Sequence, residues 1–329
     1  MGYEHRVHLM EQIGTLRQAV LVCYVAGDRE NVGTRVASDV VPVLYRHLEL
    51  CGPQPRIDLF LYTRGGDILT PWRLVHLIRE YTPRFSVLVP YRAYSAGTLI
   101  CLGADEIVMG KMGELGPIDP SVVNAFSPQD PCQPSARIPV HVEDVIAYMA
   151  LARERAGLSS EGEVGQAFRL LAERIHPLTL GNVHRNYLLI RSLARRLLYL
   201  HYGPAEEERV ERIVNSLTER LYAHDHMIPR AEAARDIKLP VAFPDPRLEK
   251  LMWELFRDYA AELRLDEPFN PLEFLEGGRR AEFEVPGAFV ESRRGRDAFV
   301  FSGVIERREH PEPGHVDVNI YRQAWRTLA

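Results

Sequence analysis

Two short stretches of this 329-residue sequence hold residue types that can carry out acyl transfer. In "AYSAGT", Ser95 stands between an aromatic and two small residues, soon after the apolar stretch "FSVLVP". In "YTRGGD", Gly65 and Gly66 follow another apolar run, and paired glycines permit positive φ and close backbone approach to a ligand. Both stretches end a predicted strand and open a predicted helix. In open parallel sheets ligands bind beyond the carboxyl ends of the strands, so both turns can face one crevice. A serine there, with backbone N–H groups beside it, supplies an oxygen nucleophile and donors for the oxyanion that develops on attack. Each signal alone is also what close packing of a helix on a sheet requires. The hydrolase elbow G-x-S-x-G is incomplete, because Ala93 holds its first glycine position.

The elements that must position these turns follow from hydrophobic period. "AVLVCYV" (19–25) and "RIDLFLYT" (56–63) are β-branched or aromatic apolar runs and predict buried strands. "GTRVASDVVPVLYRHLEL" between them, and "DILTPWRLVHLIREY" after them, carry apolar residues at helical spacing. The alternation continues with strand "FSVLVPY", a helix over "SAGTLICLGA" and strand "EIVM". Strands separated by helices of this length predict an α/β core over residues 1–110, with a parallel sheet built from right-handed crossovers. From about 142 to 262 long amphipathic helices take over. From Gly277 onward the pattern alternates in strand fashion around "RRGRD". The expected organisation is a domain over 1–276 that includes the helical region, followed by a small β-rich appendage over 277–329.

Composition narrows the function. No run approaches the roughly 18 apolar residues of a membrane helix, and the N-terminal "MGYEHRVHLMEQIGTLRQ" lacks a secretory apolar core, so the expectation is a cytoplasmic protein without a membrane span. A net charge of -5 and pI near 6.2 argue against nucleic acid as a partner. The four cysteines are widely separated and lack C-x-x-C spacing, which favours buried thiols over zinc. Only Lys111, Lys238 and Lys250 are lysines, which restricts any mechanism that needs a lysine base.

The stretch from "YTRGGD" through "AYSAGTLICLGADEIVMGKMGELGPIDP" resembles the serine dehydrogenase proteinase family, a relative of the Clp protease proteolytic subunit and signal peptide peptidase A. "LGNVHRNYLLIRSLA" and "LYAHDHMIPRAEA" extend the resemblance, and the tail "PGAFVES" does so more loosely. It implies an α/β fold of the crotonase/Clp-like spiral kind, Ser95 as nucleophile, and the N–H groups of Gly66 and Ala96 as oxyanion hole. Family relatives form closed symmetric oligomers, so a homo-oligomer is implied too. The base departs from the family pattern. Where the Clp subunit carries a histidine in an I-H-x-P context, "GPIDP" places Asp119, and a carboxylate near its ordinary pKa of about 3.9 is a poor base toward a hydroxyl. No lysine falls where the peptidase A dyad places one. Asp225 precedes Glu232-Ala233 with the spacing of the Clp triad aspartate and is flanked by His224 and His226. An imidazole is the usual proton acceptor for serine, so His226 or His224 is the expected base, with Asp119 or Asp225 as orienting carboxylate. His184 and Arg185 are second-tier candidates.

The function expected is that of a serine peptidase acting on peptide or protein substrates through an acyl-enzyme on Ser95, without metal or organic cofactor. The alternative is a Clp-fold pseudo-enzyme that binds peptides or acts as an interaction module. Acyl-CoA chemistry, which uses the same oxyanion geometry without a serine nucleophile, is a third class that Ser95 disfavours.

Overall fold

The apolar runs near the N-terminus become central strands because both of their faces are covered, as parallel strands require. A computed structural model describes residues 2–119, 121–133, 135–219, 226–275, 277–307 and 316–328. In chain order the first elements are α1 (Tyr3–Arg17), β1 (Val20–Ala26), α2 (Val40–Cys51), β2 (Ile57–Tyr62), α3 (Thr70–Arg79) and β3 (Phe85–Val89). They are followed by β4 (Arg92–Ala93), α4 (Ala96–Leu102), β5 (Glu106–Met109) and β6 (Glu114–Leu115). Next come β7 (Ser121–Val122), β8 (Val140–His141), α5 (Val142–Ala150), α6 (Glu161–Arg174), α7 (Pro177–Leu198) and α8 (Glu207–Glu219). The chain closes with β9 (Ile228–Pro229), α9 (Arg230–Arg235), β10 (Val241–Ala242), α10 (Pro246–Leu263), α11 (Leu272–Leu275), β11 (Arg280–Ser292), β12 (Gly295–Glu306) and β13 (Asp317–Thr327). The chain is mixed α/β with one large sheet.

The chain divides into two units. The first comprises Met1–Leu115 and Met227–Ala329, the second Gly116–His226. In the first unit an eight-stranded sheet runs in the order β10-β5-β3-β2-β1-β11-β12-β13. The pairs from β10 to β1 are parallel, with Val20 to Val25 beside Ile57 to Tyr62; from β1 outward they are antiparallel. The residues expected as a separate appendage thus continue the central sheet. Val22 to Ala26 of β1 pair with Ser292 to Ala288 of β11, so the strands after 277 share a core with the first 110 residues. The helical region expected over 142–262 likewise splits. Helix α10 packs with α1 against β1 and β2 through Leu248, Leu255 and Tyr259, which meet Leu9, Ile13 and Phe60 in one buried cluster.

The polar N-terminal stretch is a helix with a fully buried arginine. Arg6 donates two 2.8 Å bonds to Glu291, one of 2.8 Å to Asp258 and one of 2.5 Å to Glu262. A charge can be buried only when paired in this way, and here the pairing ties α1 to α10 and β11. Arg17 and Arg56 do the same for buried Asp58, whose carboxyl burial pushes upward.

In the second unit β7 and β8 form a two-stranded ribbon, with Ser121 opposite His141, and α5 to α8 follow, with a π-helical turn at Leu151–Arg155 and a 3-10 turn at Pro204–Glu206. Helix α6 starts at a capping box: Ser160 accepts from the Glu163 N–H, and the Glu163 carboxylate accepts from the Ser160 N–H. No described helix is long and apolar enough to cross a membrane.

Candidate active site

Ser95 occupies the turn between β4 and α4 with φ 50° and ψ -105°, a left-handed conformation that few residues with a Cβ adopt. The surrounding bonds hold it there. Tyr94 N–H donates to Thr63 O at 3.0 Å, Gly97 N–H to Tyr94 O at 2.8 Å, and Leu99 N–H to Ser95 O at 3.0 Å. The Thr98 hydroxyl donates to Ala93 O at 2.9 Å and closes the turn from the helix side. This is the sharp strand-to-helix elbow that lifts a nucleophile above a sheet, and Ser95 is half-exposed while Ala93, Ala96 and Gly97 are buried.

The incomplete elbow motif has a structural explanation. Ala93 fits because its Cβ still clears the helix, whereas a Cβ on Gly97 would lie 2.7 Å from Thr63 Cγ2 and 3.3 Å from Ala93 Cβ. One of the two elbow glycines is therefore dispensable and the other is not.

The glycine pair meets this turn directly. A Cβ on Gly65, which has φ +105°, would lie 2.9 Å from Ser95 Cβ, so the two residues touch across the crevice. A Cβ on Gly66 would lie 2.1 Å from Val36 O. That closeness arises because residues 33–37, expected to be helical, run extended and bridge Val36 to Gly66. Val36 N–H donates to Gly65 O at 2.9 Å and Val36 O accepts from Asp67 N–H at 2.8 Å, a pattern that leaves the Gly66 N–H out of the bridge. Ala96 opens α4, where the first N–H groups have no partner inside the helix. The expected oxyanion donors are thus two N–H groups on segments packed against Ser95.

Polar residues that sequence reasoning missed brace the same unit. Asp28, just past β1, accepts from Tyr62 Oη at 2.6 Å and from Arg92 at 3.2 Å, with Arg64 3.9 Å away. Tyr94, next to Ser95, donates to Glu114 at 2.5 Å; burial first, then that carboxylate, pushes its phenol upward. These contacts fix β4 on both sides of its strand pairs. Nothing in spacing marked Asp28, because its partners lie 34 and 64 residues away.

His224 and Asp225 lie outside the described residues. His226 is half-buried and precedes β9, which pairs with β6 in the three-stranded sheet that contains β4. Asp119 is 4% exposed in the second unit, and the partner found there was not foreseen: His141 Nδ1 lies 3.8 Å from Asp119 Oδ2. Their separation of 22 positions hid this pair, which the β7–β8 ribbon creates by returning the chain. His184 sits inside α7 and, with Val142, Ile146, Phe168 and Tyr187, lines a largely apolar cavity of about 850 Å³; Arg185 donates to Asn182 one turn back on the same helix. Lys250 pairs with Glu254 along α10.

A Ser–His–Asp constellation does occur in the first unit, away from this turn. His47 Nδ1 is 2.9 Å from Ser292 Oγ, and its Nε2 is 2.9 Å from Asp297 Oδ2. Ser292 and His47 are 0% exposed, so no substrate reaches the hydroxyl; the group pins α2 to the β11–β12 turn. Burial and the Arg46 guanidinium, which also engages Asp297, lower the His47 pKa to about 4.

Gly65, Gly66, Ser95 and Ala96 all lie between residues 38 and 133, and this stretch matches the family described as ClpP-like SDH-type serine proteinase. The match covers less than a third of the chain. Two curated proteins of Methanocaldococcus jannaschii, both uncharacterized, are similar as well. One is 35% identical over 79 residues, covering 24% of this chain and 27% of its own length. The other is 25% identical over 202 residues, covering 61% of this chain and 58% of its own length. The chain therefore spans between about a quarter and three fifths of these relatives.

Proposed function

We propose that this protein is a serine peptidase in which the Ser95 hydroxyl attacks a peptide carbonyl of a peptide or protein substrate. The observation that carries the reading is the backbone of Ser95: left-handed, held by bonds on both sides, and in contact with a glycine pair whose N–H group faces no strand partner. Strain of this kind persists where the surroundings over-determine it, and it clusters at catalytic turns. In the proposed step the Ser95 oxygen bonds to the carbonyl carbon and its proton passes to an imidazole. The carbonyl electrons move onto oxygen, which takes hydrogen bonds from the N–H groups of Gly66 and Ala96. The leaving amine departs with that proton, and water then hydrolyses the ester to regenerate the hydroxyl.

For the imidazole the proposal names His226 and His224, with Asp225 as orienting carboxylate, and adds His141, which Asp119 accompanies. A neutral imidazole is a better proton acceptor toward a hydroxyl than a carboxylate near its ordinary pKa. A mixed unfolded-protein digest, analysed by mass spectrometry for new termini, tests the function. Cleavage by wild type that disappears in Ser95→Ala is the expected result. Equal cleavage by both, or by neither, refutes it, and the second outcome turns the reading to a peptide-binding pseudo-enzyme.

A further inference from the structure

The central sheet has two very different edges. On one side it ends in β10, two residues long; on the other it ends in β13, an eleven-residue strand whose backbone pairs only with β12 among the described residues. Edges of this kind are blunted by proline, lysine or other charges, bulges or short length; "DVNIYRQAWRT" has no proline or lysine and is long, and carries three charged residues and one bulge. Val318 is 40% and Tyr321 60% exposed. A long open edge of this kind is a template for another strand.

The register shows which strand fits. Between Ser302–Gly303 and Arg322–Ile320 the pairing skips Tyr321, a bulge that reverses side-chain parity along β13. One face therefore carries Asp317, Asn319, Arg322, Ala324 and Arg326, and the other Val318, Ile320, Gln323, Trp325 and Thr327. In an antiparallel pair about a two-fold axis, opposite residues share a face. Without the bulge, Asp317 and Arg326 would lie on opposite faces. With it, Asp317 can stand opposite Arg326 of a second copy, Val318 opposite Trp325, and Asn319 opposite Ala324, each pair on one face. Tyr321 then stands opposite Arg322, a ring facing a guanidinium. The strand is complementary to itself in face throughout and in charge at its Asp317 and Arg326 ends.

We propose that β13 is an interface with a second copy of this chain, pairing antiparallel with β13 of that copy so that two central sheets join across a two-fold axis. The two-residue edge at β10 cannot accept an eleven-residue strand, so the contact closes as a dimer and does not propagate into a filament. This assembly stands independently of catalysis by Ser95.

Light scattering on the full chain tests it, together with Asp317→Arg, Arg326→Asp and the double reversal. Each single reversal places like charges opposite one another twice per dimer. It should weaken dimerisation by about tenfold or more, and the double should restore it. Arg326 also pairs with Glu284 in its own chain, so the double reversal, which restores opposite charges across the pair, is the deciding variant. A second measurement fixes the register: in a Cys132→Ser background, Asn319→Cys with Ala324→Cys should give a covalent dimer on oxidation, and either cysteine alone should not. A monomeric wild type overturns the proposal and leaves the edge to an extended peptide. An oligomer indifferent to the reversals, or cross-linked by a single cysteine, overturns it as well.

Discussion

Replacing Ser95 by glycine should stabilise this protein while abolishing its chemistry. At φ 50° and ψ -105° the Ser95 Cβ is held in a sparsely populated region, and a residue there costs roughly 1–3 kcal/mol that glycine does not incur. Glycine in turn loses more chain entropy on folding, roughly 0.5–1 kcal/mol relative to alanine. The difference of the central values leaves Ser95→Gly more stable than Ser95→Ala by about 1 kcal/mol, within a span of about 0–2.5 kcal/mol. In a unit of this size that is read as a rise in Tm of about 2–4 °C per kcal/mol. The comparison with alanine matters, because both variants lack the hydroxyl and differ only in the Cβ. Thermal unfolding of the two, followed by circular dichroism under identical buffer, is the assay. A glycine variant less stable than the alanine variant would show that the turn stores no strain, and the main structural support for a catalytic elbow would fall.

Other consequences follow from contacts already described. Gly66→Ala puts a methyl 2.1 Å from Val36 O, so the loop must move, and acylation of Ser95 should slow by about 100-fold in a probe-labelling time course while the fold persists. Arg6→Met strands the buried carboxylate of Asp258 and leaves Glu291 to Arg296 and Tyr259, and urea unfolding should show a loss of about 3–5 kcal/mol. His47 titrates near 4 when folded against 6.5 when free, so the unfolded chain binds the proton first as pH falls. Its contribution is complete above about pH 6.5 and is lost progressively toward pH 4, about 3 kcal/mol over that window. The His47→Gln variant should lack this component in urea titrations across the same range; an unchanged pH slope would sink the assignment.

How much of this was legible beforehand depends on the range of the interaction. Strands β1, β2, β3 and β5 were readable because each is buried on both faces, leaving a continuous apolar run. The Ser95 turn was readable because small residues must follow a strand that meets a helix. Helix α1 was not, since Arg6 looks like a surface residue until Glu291, 285 positions later, is known to face it. The last three strands were read as strands but not as part of the central sheet, because nothing local records that β11 pairs with β1. Residues 33–37 looked helical and are extended, because bridging Gly66 outweighs a weak local preference. Asp119 was found by its position in a motif, whereas His141 emerged only from the ribbon that returns the chain to it.

The central claim is that Ser95 is an activated nucleophile, and labelling with a fluorophosphonate probe, followed by intact mass and peptide mapping, tests it most directly. One adduct on Ser95, absent from Ser95→Ala and lost at low pH with a midpoint in the histidine range, is the predicted result. An adduct on another residue, or none under conditions that label a control serine peptidase, would contradict it.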